Sequence, residues 1–119
     1  MAMIRSFLPL AALFSAPLAA QEAPAAPPVG YDDAVGCAFV AIGFVMRDDL
    51  PSEKRKAAGA LGTRYMEYAK GLSGKSTDEV VDDMAAAAKP ILAEAEMDGK
   101  AAKRLDARYA DCASKAKLF

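Results

Sequence analysis

Residues 34–46, AVGCAFVAIGFVM, decide the fold, because they place no charged side chain over thirteen consecutive positions. The stretch is too short to cross a bilayer, which takes about 20 apolar residues in a helix. Asp32 and Asp33 precede it, and acidic residues are favourable in the first turn of a helix. We therefore expect a helix over about 31–48, buried on most sides. A strand is the alternative, favoured by four β-branched residues: Val35, Val40, Ile42 and Val45.

A second helix is predicted over about 52–72, after Pro51, which suits a first turn. Its apolar face shows helical spacing: Ala58, Leu61, Tyr65, Tyr68 and Leu72. Residues 69–77, AKGLSGKST, also fit a relaxed phosphate-binding P-loop pattern. A P-loop follows a buried strand, whereas an amphipathic helix precedes this motif. We therefore expect a helix C-cap at Gly71 rather than a nucleotide site.

The third and fourth helices are marked by a capping box and by a repeat of apolar residues. Ser76 and Glu79 fit the capping box, in which each side chain bonds the other's backbone N–H. Pro90 removes one helical hydrogen bond and is expected to kink the third helix. The fourth helix follows Gly99 and has apolar steps of four, three and four: Leu105, Tyr109, Cys112 and Ala116. Since the connections are short, the sequence predicts an all-α, up-down-up-down four-helix bundle.

Net charge alternates along the four predicted helical segments. It is −3 over 31–51, +4 over 52–75, −6 over 76–98 and +4 over 99–119. In a ring of four helices, each would meet opposite charge on both neighbours and like charge only across the diagonal. Such a pattern disfavours wrong topologies. The alternative is that these are simply solvated faces.

The two cysteines fall at the same end of such a bundle. Cys37 lies in the first turns of the first helix and Cys112 near the end of the fourth. We expect a single disulfide that closes the bundle. By restricting the unfolded chain, it would stabilise the fold by about 4 kcal/mol. A redox or metal-binding thiol pair is the alternative, which neither a C-x-x-C motif nor a histidine supports.

The first twenty residues resemble an export signal. Arg5 supplies a positive charge, residues 7–18 (FLPLAALFSAPL) are apolar, and small residues precede Gln21. A retained membrane anchor is the alternative, although the apolar stretch is short and contains prolines. We expect a periplasmic or secreted protein with no stable membrane insertion after cleavage. The predicted domains are a signal peptide (1–20), a Pro/Ala-rich spacer (21–30) and the four-helix bundle (31–119).

The composition excludes several classes of function. The 119 residues include no histidine, which removes Ser-His-Asp and Cys-His catalysis, His-ligated haem and His-containing zinc sites. Fifteen basic against sixteen acidic residues lack the basic excess of nucleic-acid-binding proteins. Three acidic pairs match no calcium loop and are interpreted as solvated: Asp32/Asp33, Asp48/Asp49 and Asp82/Asp83. We expect no enzyme, no cofactor, no metal and no nucleic-acid partner.

Four glycines lie inside the first two predicted helices, where each costs about 1 kcal/mol relative to alanine. They indicate either close helix crossing, which we favour, or an apolar cavity for a ligand: Gly36, Gly43, Gly59 and Gly62. Three tyrosines would edge the core or line the same cavity: Tyr65, Tyr68 and Tyr109.

The segments VGCAFVAIG (35–43) and DARYADCA (106–113) resemble the uncharacterised small exported two-cysteine helical proteins of alpha-proteobacteria. The resemblance is one of architecture, covers most of the mature chain and implies no activity. We expect a non-enzymatic exported helical module that binds a protein, a peptide or a small apolar ligand. One alternative is an envelope stress chaperone of the acid type, since those are also small, helical and single-disulfide. The other is a binder of a small apolar ligand inside the bundle.

Overall fold

Four helices form the part of the chain that the structure, a computed structural model, describes: residues 26–97 and 99–119. They are α1 (Tyr31–Val45), α2 (Ser52–Ser73), α3 (Thr77–Ala95) and α4 (Ala101–Lys115), and a 3₁₀ turn (Ala116–Leu118) follows α4. The described residues contain no strand, so the strand alternative for 34–46 is wrong. The predicted signal peptide and residues 21–25 of the predicted spacer lie outside the described residues. No helix in the described ranges is long and apolar enough to cross a membrane.

The predicted up-down-up-down topology is confirmed. α1 and α4 are antiparallel, because Cys37 is bonded to Cys112 while Phe44, further along α1, stacks on Tyr109, earlier in α4. α1 is the central helix and packs against each of the other three. Seven of its fifteen residues are buried, as expected for a helix built from the uncharged stretch 34–46.

The predicted disulfide closes the bundle. It joins Cys37 to Cys112, 75 positions apart in sequence, with their Cα atoms 5.5 Å apart. Both cysteines belong to the main core cluster. The hydroxyl of Tyr65, a fully buried side chain, donates a hydrogen bond to the Cys112 carbonyl at 2.5 Å.

Local signals set the connection between α2 and α3, with one correction. The predicted C-cap at Gly71 is wrong, because the helix continues to Ser73 and ends at Gly74. Gly74 adopts a left-handed conformation (φ +72°), which glycine reaches without steric cost, and its N–H bonds the Lys70 carbonyl at 2.8 Å. The predicted capping box is confirmed, with Ser76 and Glu79 bonding each other's backbone N–H groups.

The buried face of α2 includes only part of the apolar face that the sequence predicts. The residues buried are Ala58, Gly62, Tyr65 and Ala69, whereas Leu72 is 40% exposed. Small residues lie in the contact because α2 approaches α1 closely. A Cβ placed on Gly62 would lie 3.1 Å from Ile42 Cγ1, and one on Gly59 would lie 3.6 Å from Val45 Cγ2.

The predicted charge scheme holds only in part. Arg108 of α4 pairs with Glu94 of α3 at 2.8 Å with the expected signs. Arg47, just beyond α1, pairs with Asp106 of α4 at 3.0 Å with the opposite signs. The scheme also places the two acidic helices, α1 and α3, diagonally opposite each other. In the structure, α1 instead packs directly against α3.

A glycine explains that contact between α1 and α3. A Cβ on Gly36 would lie 3.3 Å from Ile91 Cδ1, closer than such atoms normally pack. The missing side chain therefore lets α3 approach α1. As a result, α1 and α3, which both carry net negative charge, lie side by side and contribute to one surface.

Candidate binding groove between the first and third helices

A groove of about 610 Å³ lies between α1 and α3. This volume falls within the range of sites that bind small molecules and short peptide segments. Its apolar lining comes from both helices: Val35, Gly36, Ala86, Ala87, Pro90 and Ile91. Its polar lining consists of Tyr31, Asp32, Asp33, Lys75, Asp83 and Arg108. The groove thus combines a small-residue apolar surface with charged groups.

Tyr31, Lys75 and Asp83 form a hydrogen-bonded cluster in the groove. The Tyr31 hydroxyl and Lys75 Nζ both donate to Asp83 Oδ2, at 2.5 and 2.7 Å. Lys75 Nζ also lies 4.8 Å from the centre of the Tyr31 ring. The cluster ties the first turn of α1 to α3 and to the connection before it.

The charges in this cluster shift one another's protonation. The hydrogen bond from Lys75, followed by that from Tyr31, holds the pKa of Asp83 below its usual value. The hydrogen bond to Asp83 raises the pKa of Lys75. Burial, followed by the bond to Asp83, raises the pKa of Tyr31. At neutral pH the cluster therefore holds an ionised carboxylate, an ammonium and a neutral phenol.

The interpretation of Asp82/Asp83 as a solvated pair is wrong for Asp83. Adjacent residues of a helix point about 100° apart. Asp83 therefore faces the groove, where it is half-buried, while Asp82 is exposed. No local motif marks Asp83, since Lys75 and Tyr31 reach it from other parts of the chain.

The groove carries two carboxylates that have no charged partner in the part of the chain that the structure describes. Lys75 is paired with Asp83, and the other cation of the lining, Arg108, is paired with Glu94. Among the described residues, neither Asp32 nor Asp33 forms an ion pair, and both are exposed. The unneutralised charge of the groove is therefore negative.

Pro90 adds a backbone acceptor to the α3 wall. Proline has no N–H, so the carbonyl of Ala86, four residues earlier, loses its helical donor. Ala86 and Pro90 are both exposed and both line the groove. One helical hydrogen bond is thus missing on this wall of the groove.

The predicted cavity residues do not come together at one place. Tyr65 and Tyr68 contact Phe119, with ring centroids 5.1 and 3.9 Å apart. Tyr109 stacks instead on Phe44 at 4.3 Å. Of the glycines, Gly36 lines the groove, whereas Gly59 and Gly62 lie in the contact between α1 and α2 and Gly43 has open space around it.

Tyr68 anchors the segment before α1. Its hydroxyl donates to the Val29 carbonyl at 2.8 Å and accepts from the Val29 N–H at 3.4 Å. Val29, which the sequence assigns to the spacer, is buried in the main core cluster. The role of Phe119 was also missed, although Arg64 donates to its backbone oxygen and lies over its ring.

A second groove, of about 500 Å³, is a weaker candidate. It is lined by Phe44, Arg47, Leu50, Lys54, Ala57, Asp106 and Tyr109. Arg47 donates two hydrogen bonds to Asp49 and one to Asp106, so its charge is already satisfied within the chain. In the described part of the chain, no group of three or more His, Cys, Asp or Glu residues is placed to hold a metal ion.

Comparison with family models, with curated proteins and with solved structures gives no match for this chain.

Proposed function

We propose that this chain is a non-enzymatic, exported helical module that binds a segment of a partner in the groove between α1 and α3. The observation that carries this proposal is the combination of a small-residue apolar surface with two carboxylates that form no ion pair among the described residues. Binding sites typically combine an apolar surface with a few polar groups that fix orientation. The protein would then act by holding its partner rather than by chemistry on it.

Export is part of the proposal. Disulfides form and persist in oxidising compartments such as the periplasm, and the Cys37–Cys112 bond is consistent with one. We propose that residues 1–20 are removed as a signal peptide. Mass spectrometry of the protein recovered from the envelope fraction or the medium would test this. A protein that retains residues 1–20 would contradict cleavage.

The binding role is tested by filling the groove. Ala86 is exposed and lines the groove, so Ala86→Phe would block it at little cost to the core. Ala93→Phe is the matched control, because Ala93 is exposed on the same helix but does not line the groove. Both variants and the wild type would be used as baits in envelope extract. We expect the wild type and Ala93→Phe to retain a partner that Ala86→Phe does not. Identical recovery by all three baits would reject the groove as the binding site.

One observation favours an acid-activated chaperone as the second candidate. Carboxylates hold three ion pairs that link separate elements, namely Lys75–Asp83, Arg47–Asp106 and Glu94–Arg108. Protonation of these carboxylates would break the pairs and leave positive charge on several helices, which favours an expanded state with exposed apolar surface.

A further inference from the structure

We propose that the segment held in the groove is cationic and amphipathic: a short peptide stretch in which lysine or arginine alternates with apolar residues. This inference rests on the proposed binding function and adds the chemical class of the partner. It is carried by the charge of the two helices that form the groove and by the hydrogen-bonding groups of its lining.

The two helices surround the groove with negative charge. α1 carries Asp32 and Asp33 and no basic residue. α3 carries five acidic residues against the single base Lys89. Since exposed charges act over about 10 Å at moderate ionic strength, both helices attract a cation that approaches the groove. An anionic segment would be repelled from the same surface.

The carboxylates of Asp32 and Asp33 are the charged groups of the lining that form no ion pair among the described residues, whereas Lys75 and Arg108 are each paired with a carboxylate. On the α3 wall, the Ala86 carbonyl lacks the helical donor that Pro90 removes. Lysine and arginine side chains carry three and five N–H donors and no acceptor. A cationic side chain therefore satisfies these groups, whereas an acidic one leaves them unpaired.

The apolar part of the lining favours apolar residues next to that cation in the partner segment. Ala86, Ala87 and Pro90 present a surface without hydrogen-bonding side chains, and Gly36 adds no side chain to the α1 wall. Leucine-sized side chains of a partner would bury apolar area against it. A segment in which cationic and apolar residues alternate can contact the acidic and the apolar parts of the lining at the same time.

Fluorescence anisotropy with a short labelled peptide of alternating lysine and leucine tests this inference. The control peptide has glutamate in place of each lysine. We expect the lysine peptide to bind, the glutamate peptide to bind at least about tenfold more weakly, and added salt to weaken the lysine peptide. Equal affinity for the two peptides would overturn the inference.

Variants of the protein test whether the lysine peptide binds in the groove. Asp32→Asn with Asp33→Asn should weaken the lysine peptide by about tenfold. Asp48→Asn with Glu53→Gln is the matched control, since it changes net charge equally at exposed residues that do not line the groove. Equal weakening by both pairs would show general attraction to an acidic protein and would overturn the inference. Ala86→Phe should also weaken binding, while Ala93→Phe should not. Near-ultraviolet circular dichroism would confirm that each variant is folded.

Two further outcomes separate this inference from the proposed function. If the lysine peptide does not bind, yet Ala86→Phe still loses a partner that Ala93→Phe retains, the binding module stands and the cationic class is rejected. If sedimentation shows a dimer that Ala86→Phe dissociates, the occupant is a second copy of the chain, and the inference is again rejected.

Discussion

The Tyr65 hydroxyl donates a hydrogen bond to the carbonyl oxygen of Cys112, so one buried phenol joins α2 to the residue that forms the disulfide on α4. Tyr65 is completely buried. Its burial, followed by the negative charge of Asp111, raises its pKa to about 12. The hydroxyl therefore stays protonated, and able to donate, over a wide range of pH.

Replacing Tyr65 by phenylalanine should lower the free energy of unfolding by about 1 kcal/mol at neutral pH, because the Cys112 carbonyl loses the buried phenol donor and keeps only the Ala116 N–H. The effect should also depend on pH. Since the folded pKa lies above the unfolded value of 10, the wild type loses stability as pH rises from about 10 to about 12. The loss attributable to Tyr65 is up to about 3 kcal/mol. Urea unfolding at a series of alkaline pH values measures it. Parallel curves for Tyr65→Phe and the wild type would contradict this assignment.

The disulfide should contribute about 4 kcal/mol to stability, because it closes a 75-residue loop in the unfolded chain. Urea unfolding of the oxidised protein, compared with the Cys37→Ala, Cys112→Ala double variant, would measure the difference. The reduced wild type controls for the packing lost with the two sulfur atoms. Titration of the denatured oxidised protein should find no free thiol, and two free thiols would refute the bond.

Two glycines should respond oppositely to substitution. Gly43 has open space around it, so Gly43→Ala should stabilise α1 by about 0.5–1 kcal/mol through helix propensity. Gly62 lies against Ile42 and Ala41, so Gly62→Leu should destabilise the protein by about 1–3 kcal/mol through overpacking. Thermal unfolding of the two variants measures both effects. A stabilised Gly62→Leu variant would mean that α2 does not approach α1 closely.

Asp83 should titrate below the usual range of an aspartate, because Lys75 and Tyr31 both donate to it. Carboxyl carbon NMR would follow this group directly. Lys75→Met should bring its pKa back towards the ordinary value of 3.8. Because the folded pKa is depressed, the favourable contribution is present above pH 3.8 and is lost as pH falls through the folded value. An unchanged pKa in Lys75→Met would exclude Lys75 as the main cause.

The same titration decides the chaperone candidate. If acid exposes a binding surface, the protein at pH 3 should reversibly lose its near-ultraviolet circular dichroism and bind an apolar dye. The depressed pKa values of Asp83 and Asp49 place part of this change below the ordinary carboxyl range. A rigid protein that binds no dye at pH 3 would reject the chaperone.

The features that the sequence predicted correctly are those with local signals. The capping box at Ser76 and Glu79 depends on four consecutive residues, and the uncharged stretch at 34–46 requires a helix that neighbours cover on several sides. The Cys37–Cys112 bond followed from helix order alone, because antiparallel first and last helices bring those two positions to the same end.

The groove itself was not predictable, because it depends on how two helices cross. Gly36 was recognised as a candidate for close packing, but nothing in the sequence identifies Ile91 as its neighbour. The charge alternation predicted that α1 and α3 would be separated. They are in contact because the packing of small residues outweighs the weak repulsion between exposed charges. Asp83 was missed for the same reason, since its partners come from α1 and from the turn before α3.

Cleavage by a protease in any connection between the helices would leave the molecule in one covalent piece, because all three connections lie between Cys37 and Cys112. The two fragments would remain joined through α1 and α4, whose mutual packing does not depend on the cut peptide bond. A nicked protein would therefore run as a single band until reductant is added. The disulfide thus preserves the covalent continuity of the four helices against a single cut in any of the three connections.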